Sequence, residues 1–325
     1  MRLLDQANRP DPAGRAHPAD PAARADRADR ADRADRSGPR GDTDWWYVRA
    51  YPGHPDLMDE ATRVLIPWLA ERAAEEAASA WFFTRYWDMS GHHLRLRLHC
   101  STDGVDRVHE RLPELVGLLH ALGKPVVAER LVPGSVPRGL PLVKQARCCL
   151  YAPELAKYGG SRGVARTEEL FTASCGWYDD QRIGALPPLF DRAALAVTYM
   201  RTLVRAALPE DARTEFWHAH RRQWGRQLRM AAPGQEELRA LLSRAVRGTG
   251  NAGHLGDGLR DSVDKQVATV VRTLDAAAAD GNPVPRAVLL LNYLHMDLNR
   301  WGFVPAEESL LGVLASTGGR AESRP

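Results

Sequence analysis

The sequence lacks an uninterrupted apolar run of the length that a membrane-spanning helix needs, which is about 20 residues. Its N-terminus also lacks the apolar core of a secretory signal. These two absences argue against a membrane-embedded protein and against a secreted one. They predict a cytoplasmic location.

Cysteine is scarce, with four residues in a chain of 325, and none of them forms the C-x-x-C pair common in zinc and redox sites. Cys148 and Cys149 are adjacent, which suits neither a zinc knuckle nor an ordinary disulfide. We therefore predict free thiols, buried or partly buried, in a reducing compartment.

Standard catalytic and cofactor motifs are missing as well. The chain has no G-x-S-x-G elbow, no H-E-x-x-H helix, no zinc-finger spacing, no phosphate-binding P-loop and no dinucleotide fingerprint. The formal net charge of +3 is small and gives no argument for a nucleic-acid or membrane surface. We predict no metal ion, no cofactor, and no direct contact with nucleic acid or membrane.

The first 41 residues differ in composition from the rest of the chain. They contain a repeated Ala-Asp-Arg triplet at 25–36, flanked by proline, glycine and more charged residues. Because almost nothing in this segment can be buried, nothing offsets the entropy of ordering it. We predict a disordered or transiently helical tail at 1–41, a folded domain at 42–316 and a second flexible tail at 317–325.

Between the tails the pattern changes from strand-like to helical. Aromatic or alternating runs predict strands at 45–51, 81–87, 93–99, 126–131 and 145–150. Apolar residues at helical spacing predict helices at about 56–78, 105–122, 164–173, 190–207, 212–230, 236–247, 259–279 and 285–300. Pro67 predicts a kink or break in the first of these helices. The predicted fold is α+β, with an antiparallel sheet from the N-terminal half packed with a mostly helical C-terminal half.

The strand predicted at 93–99 alternates between leucine and basic residues. Because side chains alternate along a strand, the basic residues share one face: His93, Arg95, Arg97 and His99. Two guanidinium and two imidazole groups make a surface that suits carboxylates or phosphates. The alternative is a solvated strand face. The neighbouring strand argues against that alternative, because it is rich in aromatic residues and carries Arg85.

A second candidate segment lies at 151–160. Glu154 and Lys157 are three residues apart, so they would share one face of a helical turn. Gly159 and Gly160 permit a sharp turn into the next helix, whose first N–H groups could receive an anion. The alternative is a loop with a surface ion pair.

A third candidate is His295, which lies among largely apolar positions of a predicted helix. A histidine in such a position is more often a hydrogen-bonded core residue than a catalyst. If it faces a cleft, an imidazole suits general acid–base catalysis near neutral pH.

Four short motifs follow one another in the chain. They are W-F-F-x-R-Y at 81–86 leading into H-L-R-L-R at 93–97, Y-x-x-E-x-x-K-Y-G-G at 151–160, E-L-F with a serine at 169–174, and H-M-x-x-N-R-x-G at 295–302. In this order and spacing they resemble the small elimination domain of lanthipeptide dehydratases, also called the thiopeptide-type bacteriocin biosynthesis domain. The resemblance covers about residues 45–314.

The resemblance implies a role in making ribosomally synthesised, post-translationally modified peptides. A separate larger domain or protein esterifies Ser or Thr of a precursor peptide with glutamate from glutamyl-tRNA. The small domain, a lyase, then eliminates glutamate and leaves dehydroalanine or dehydrobutyrine. The implied partners are the precursor peptide and a separate tRNA-dependent glutamylating protein.

The resemblance also implies which residues form the site. It assigns catalysis to three residues: His295 as base or acid, Lys157 as enolate stabiliser or base, and Arg97 on the leaving carboxylate. It also places Arg95 and Glu154 in the site, and we predict substrate binding by these two residues and by Arg85 and Arg300, which lie in the same motifs.

Some positions depart from the family pattern. Lys157 stands where arginine is common, and residues 175–178 and Trp301 also differ from the usual small or apolar residues. One alternative is therefore a pyridine synthase, which joins two dehydroalanines by a [4+2] aza-cycloaddition and releases the leader peptide. The retention of Arg95 and Arg97 favours elimination. The other alternative is a non-catalytic subunit that only binds peptide or the glutamylating protein.

Overall fold

Four strands pair into one antiparallel sheet in the computed structural model, which describes residues 42–127, 129–136, 142–249 and 256–317. The strands are β1 (Thr43–Tyr51), β2 (Ala80–Asp88), β3 (Gly91–Ser101) and β4 (Gln145–Cys148). Their order across the sheet is β2-β3-β1-β4. β2 and β3 form a hairpin, so the two strands that carry the first motif are neighbours.

Eleven α-helices lie among the same described residues. In chain order they are α1 (Met58–Glu75), α2 (Thr102–Glu110), α3 (Leu112–Ala121), α4 (Leu155–Tyr158), α5 (Ser161–Asp180), α6 (Ala193–Ala207), α7 (Glu210–Ala231), α8 (Gln235–Thr249), α9 (Asp257–Ala279), α10 (Arg286–Arg300) and α11 (Pro305–Thr317). Eight of them follow the last strand, so the C-terminal half is helical.

The period-2 pattern of β3 separates a core face from a polar face. Leu94, Leu96 and Leu98 are fully buried and share a hydrophobic core with Leu65 and Ile66 of α1. The basic residues of β3 point to the opposite face, where they lie across from β1 and β2 residues. The sheet therefore has an apolar side against helices and a polar side available for a site.

The outer edge of β2 is covered by side chains from α5. The Thr172 hydroxyl accepts a hydrogen bond from the N–H of Trp81 at 3.0 Å, and the Cys175 thiol accepts one from the N–H of Phe83 at 3.5 Å. These contacts supply partners for backbone donors that an edge strand otherwise leaves to solvent or to another chain.

Two consecutive residues of α10 complete the same edge. Asn299 accepts a hydrogen bond from the N–H of Arg85 and donates one to its carbonyl, each at 2.9 Å. The guanidinium of Arg300 donates to the carbonyl of Phe83 at 3.2 Å. The sheet edge is thereby held against both helices.

A buried ionic cluster connects β2 with α1. Asp59 accepts from Arg85 at 2.6 Å and from Arg192 at 3.0 Å. Burial by itself would raise the pKa of Asp59, but the two guanidinium groups hold that pKa well below its usual range. Arg192 also donates to three backbone carbonyls, which ties the loops around it to the same cluster.

The α+β prediction is confirmed, and so are the strands near 45–51, 81–87, 93–99 and 145–150. The strand predicted at 126–131 is wrong, since none of the described residues in that range is in a strand. The helix predicted at 105–122 is two helices that meet at Arg111. Pro67 lies inside α1 without breaking it, and the sequence pattern did not predict α11.

All four cysteines are free, as predicted. Cys148 is exposed, however, which corrects the prediction that every thiol is at least partly buried. The predicted tail at 1–41 lies outside the described residues, as does the tail at 317–325 apart from Thr317, which ends α11. None of the described helices has both the length and the apolar character needed to cross a membrane.

His93 is a polar-face residue that is nevertheless fully buried. Its ring packs against the rings of Tyr51 and Tyr86, with centroids 4.6 Å and 5.6 Å away. Its Nδ1 lies 3.1 Å from the carbonyl oxygen of Gly91 and 3.8 Å from the Asp88 carboxylate. Burial lowers the pKa of His93 to about 4.

This lowered pKa predicts a loss of stability in mild acid. An unfolded histidine titrates near ~6.5. Between pH 6.5 and 4 the histidine is protonated in the unfolded chain but stays neutral in the folded protein. Its contribution to stability is therefore complete above about pH 6.5 and is lost as the pH falls toward 4. In urea unfolding, we expect His93→Phe to lose about 2 kcal/mol less than wild type between pH 7 and pH 5. An identical pH dependence in the two proteins would contradict this account.

Candidate functional site

The polar face of the sheet forms one wall of a cleft of about 260 Å³. The other walls come from the segment after β4, the first half of α5 and the C-terminal half of α10. Six of the seven residues predicted for the site line this cleft: Arg85, Arg95, Arg97, Glu154, Lys157 and His295. Residues from distant parts of the chain therefore meet in one place.

Arg97 lies inside a box of aromatic rings. Its guanidinium carbon is 4.7 Å from the ring centroid of Tyr47, 5.1 Å from Phe82 and 5.4 Å from Tyr151. Its one hydrogen bond to a described residue is a long contact of 3.5 Å to Thr84. Only 8% of Arg97 is exposed, and burial lowers its pKa from the usual value. The aromatic faces stabilise the cation without neutralising it.

Arg95, two residues earlier on the same strand, lies 3.4 Å above the ring of Tyr86. In the part of the chain that the structure describes, no carboxylate is within ion-pair distance of Arg95 or Arg97. Two neighbouring guanidinium groups without an acidic partner repel each other and gain most from an anionic ligand. The cleft is thus built to accept a carboxylate or a phosphate.

Glu154 and Lys157 form the ion pair that their spacing predicted, with Nζ and Oε2 3.0 Å apart. Glu154 precedes the single turn α4 and Lys157 lies within it, and Gly159, the residue after this turn, has a φ of +85°. A Cβ at Gly159 would lie 2.1 Å from Oδ1 of Asn282, whose amide nitrogen donates to the carbonyl of Tyr158 at 2.8 Å. The glycine is therefore required on two grounds, and Asn282 fixes this turn at the mouth of the cleft.

His295 is held by groups on two neighbouring helices. Its Nδ1 lies 2.7 Å from Oε2 of Glu308 on α11, and its ring stacks on Trp224 of α7 with centroids 4.3 Å apart. About a quarter of the side chain is exposed (24%), whereas Glu308 is fully buried. Nε2 of His295 has no hydrogen-bond partner among the described residues, so it is the ring nitrogen left for a ligand.

Glu308 lies between two histidines. The second, His220 of α7, is fully buried, with Nε2 3.6 Å from the other carboxylate oxygen of Glu308. Burial by itself would raise the pKa of Glu308, but His295 and His220 hold that pKa below its usual range. Gly312, one turn further along α11, makes room for the His220 ring, since a Cβ there would lie 2.4 Å from Cε1.

Two of the predicted substrate-binding arginines are occupied elsewhere. Arg300 is fully buried, pairs with Asp297 at 2.7 Å and does not line the cleft. Arg85 lines the cleft, but its guanidinium is committed to Asp59. Both arginines hold β2 in place. Among the described residues their guanidinium groups are paired with carboxylates, whereas those of Arg95 and Arg97 are not.

A second cavity of about 340 Å³ adjoins the cleft. Apolar side chains contribute much of its lining, including Met58, Trp87 and Phe303. Residues on the boundary line both cavities: Arg85, Tyr86, His295 and Asn299. His295 therefore lies where a basic space meets an apolar one.

The sequence did not identify Glu308, Trp224 or Tyr151 as site residues. The weak signal for Glu308 was a pair of acidic residues, Glu307 and Glu308, at the start of a mostly apolar segment, and an isolated sequence gives no reason to bury them. Tyr151 was part of a recognised motif, and its hydroxyl donates to Glu168 at 2.7 Å in the cleft wall. Among the described residues, no group of three or more His, Cys, Asp or Glu side chains could hold a metal ion.

The chain matches one family model and is similar in fold to several solved structures. The family model for the C-terminal part of lantibiotic biosynthesis dehydratases matches residues 45–317. No curated protein sequence matches this chain.

Solved structures that share the fold include MibB and TsrL. MibB, a tRNA-dependent lantibiotic dehydratase from Microbispora sp. 107891, is 18% identical with a TM-score of 0.51, over 89% of this chain and 29% of MibB. TsrL is 14% identical with a TM-score of 0.54, over 87% of this chain and 96% of TsrL. The chain thus spans less than a third of MibB but nearly the whole of TsrL.

The close approach of Gly312 to His220 yields a stability test. Gly312→Ala should destabilise the protein by about 1–3 kcal/mol, because the new methyl group must displace a buried ring. The matched control is Gly176→Ala in α5, where a Cβ meets nothing within 4 Å. There the better helix propensity of alanine should stabilise by about 0.5–1 kcal/mol. Urea unfolding of both variants measures the difference, and equal effects would show that Gly312 does not make room for His220.

Proposed function

Because the chain belongs to the lantibiotic biosynthesis dehydratase C-terminal family, we propose that it eliminates glutamate from glutamylated Ser and Thr residues of a precursor peptide. The products are free glutamate and dehydroalanine or dehydrobutyrine. The observation that carries this proposal is the pair of guanidinium groups in the cleft, Arg95 and Arg97, which have no acidic partner among the described residues.

The charges of the substrate match those of the cleft. Glutamate carried by a tRNA is esterified through its α-carboxyl group, so after transfer the glutamyl ester keeps a γ-carboxylate and an α-ammonium group. Arg95 and Arg97 can hold the γ-carboxylate and favour departure of the α-carboxylate. Glu154, which lines the cleft and is more exposed than Lys157 (64% against 29%), is an acidic group that can receive the ammonium.

The reaction requires a base for the α-proton of the esterified residue. We assign this role to His295, with Nε2 as the accepting nitrogen. As the Cα–H bond breaks, its electrons form the Cα=Cβ bond, and the Cβ–O bond breaks to release glutamate as a carboxylate. The Glu308 carboxylate at 2.7 Å stabilises the imidazolium that forms.

Lys157 suits a donor role better than a basic one. Its ammonium group already donates to Glu154 at 3.0 Å. We propose that it supports the negative charge that develops on the peptide carbonyl during elimination. Arg85 and Arg300 then contribute by fixing β2, which supports the arginine-bearing strand, instead of by touching substrate.

We also propose that the ester comes from a separate protein. The chain corresponds to 29% of MibB, which is described as tRNA-dependent. The partners would then be the precursor peptide and a tRNA-dependent glutamylating protein. Since charged tRNA and nascent precursor are both cytoplasmic, the proposed reaction belongs to that compartment.

The direct test is a mass measurement on a purified glutamylated precursor. Incubation with wild-type protein should remove one glutamate per modified residue, whereas His295→Asn should leave the ester in place. Arg97→Lys keeps the charge but loses the planar fork, so we expect a fall in kcat of roughly 10²-fold. Arg63→Gln, at an exposed position of α1, serves as the control with wild-type turnover.

Other outcomes would redirect the assignment. Turnover only of an already dehydrated, azole-bearing peptide, with release of its leader, would indicate a pyridine synthase. No mass change together with a stable complex with the glutamylating protein would indicate a binding subunit. Full activity of both His295→Asn and Arg97→Lys would refute the site assignment.

The contact between Glu308 and His295 gives a further expectation. Glu308→Gln keeps the shape of the side chain but removes the charge opposite the imidazolium, so kcat should fall by about 10–10²-fold while KM changes little. Glu236→Gln, at an exposed carboxylate near the start of α8, is the control. A rise in KM at unchanged kcat would mean that Glu308 acts on binding and not on the proton transfer.

A further inference from the structure

A row of arginines crosses the sheet next to the cleft. In the antiparallel register, Arg95 of β3 lies opposite Arg49 of β1, and Arg49 lies opposite Arg147 of β4. Residues directly opposite each other share a face, so all three belong to the polar face of the sheet. We call these three residues the arginine row. Its inner end, Arg95, lines the cleft.

The arginine row becomes more exposed with distance from the cleft. Arg95 is partly buried, the Arg49 side chain is 33% exposed and Arg147 is exposed. Asp88 pairs with Arg49 at 3.2 Å and is the one carboxylate that forms an ion pair with the row in the described ranges. Among the residues that the structure describes, Arg147 donates to uncharged groups only, the Ser90 hydroxyl at 3.3 Å and the Gln145 amide oxygen at 3.1 Å. Three guanidinium groups thus face one carboxylate.

Such an arrangement is unfavourable for the sheet by itself, because like charges directly opposite each other on paired strands repel. An anionic ligand lying across the strands would reverse the sign of that energy. We propose that the arginine row is a docking surface for an acidic segment of the precursor peptide, close in sequence to the residue being modified. That the peptide is the substrate rests on the proposed function, but the docking itself needs no ester.

The dimensions of the row suit a short peptide segment. Neighbouring strands lie about 4.8 Å apart, so Arg95 and Arg147 are separated by roughly 10 Å, which an extended chain covers with about three residues. Because Arg95 also lines the cleft, the acidic residues would lie within a few positions of the modified one. Met89, which is 97% exposed, precedes Ser90, whose hydroxyl accepts a hydrogen bond from Arg147 at the outer end of the row. The fitting segment therefore combines Asp or Glu with apolar residues.

A binding measurement on an unmodified peptide tests the proposal. The probe is a fluorescein-labelled peptide of alternating Glu and Leu, and its twin carries Gln in place of every Glu. By fluorescence anisotropy, wild-type protein should bind the acidic peptide at least about 10-fold more tightly than the twin, with a difference that shrinks as salt is added. Arg147→Glu should abolish most of that preference, whereas Arg147→Lys should keep most of it.

Arg63→Gln on α1 is the matched control, since it removes an exposed arginine that lies outside the row. Equal affinity of the wild-type protein for both peptides would overturn the proposal, and so would an unchanged preference in Arg147→Glu. Binding of a short RNA duplex through Arg147, without binding of the acidic peptide, would assign the surface to nucleic acid and also overturn it. Because the probe carries no ester, failure of glutamate elimination in the mass assay and failure of docking are separate results.

Discussion

The hydrogen bonds that cover the outer edge of β2 determine the geometry of the whole site. A strand edge presents backbone groups that need partners, and here Thr172 of α5 and Asn299 of α10 supply them. His295 lies about one helical turn before Asn299, and the strand next to β2 carries Arg95 and Arg97. The contacts that complete the sheet therefore also set the separation between the imidazole and the guanidinium groups. Arg95 and Arg97 lie more than 190 residues from His295 in the chain, and their position relative to it depends on these hydrogen bonds.

The sheet and its polar face could be predicted from the sequence because alternation in a strand is a local property. Once β3 was recognised, the common face of Arg95 and Arg97 followed from the period of two alone. The pairing of Glu154 with Lys157 likewise followed from helical spacing. Local geometry was sufficient in each case, because the residues involved are neighbours in the chain.

What could not be predicted depends on contacts between distant elements. Arg97 and Arg300 both lie in motifs of the family, yet Arg97 lines the cleft whereas Arg300 forms an ion pair with Asp297. The sequence around each arginine does not show which of the two lines the cleft. The same holds for Glu308, whose burial makes sense only after α7 and α10 bring a histidine to each of its oxygens. The predicted strand at 126–131 failed for a related reason, since β-branched composition alone does not provide a pairing partner.

The aromatic box around Arg97 has a consequence for selectivity. Tyr47, Phe82 and Tyr151 cover the guanidinium group, so the cation is largely desolvated before any ligand arrives. A glutaminyl ester has almost the same size and shape as a glutamyl ester but no charge to return to that cation. It would leave a buried ion uncompensated, which is the kind of mismatch by which polar sites reject a near-identical analogue most strongly. Under the proposed function, discrimination between an acid and its amide would therefore be built into the unliganded protein.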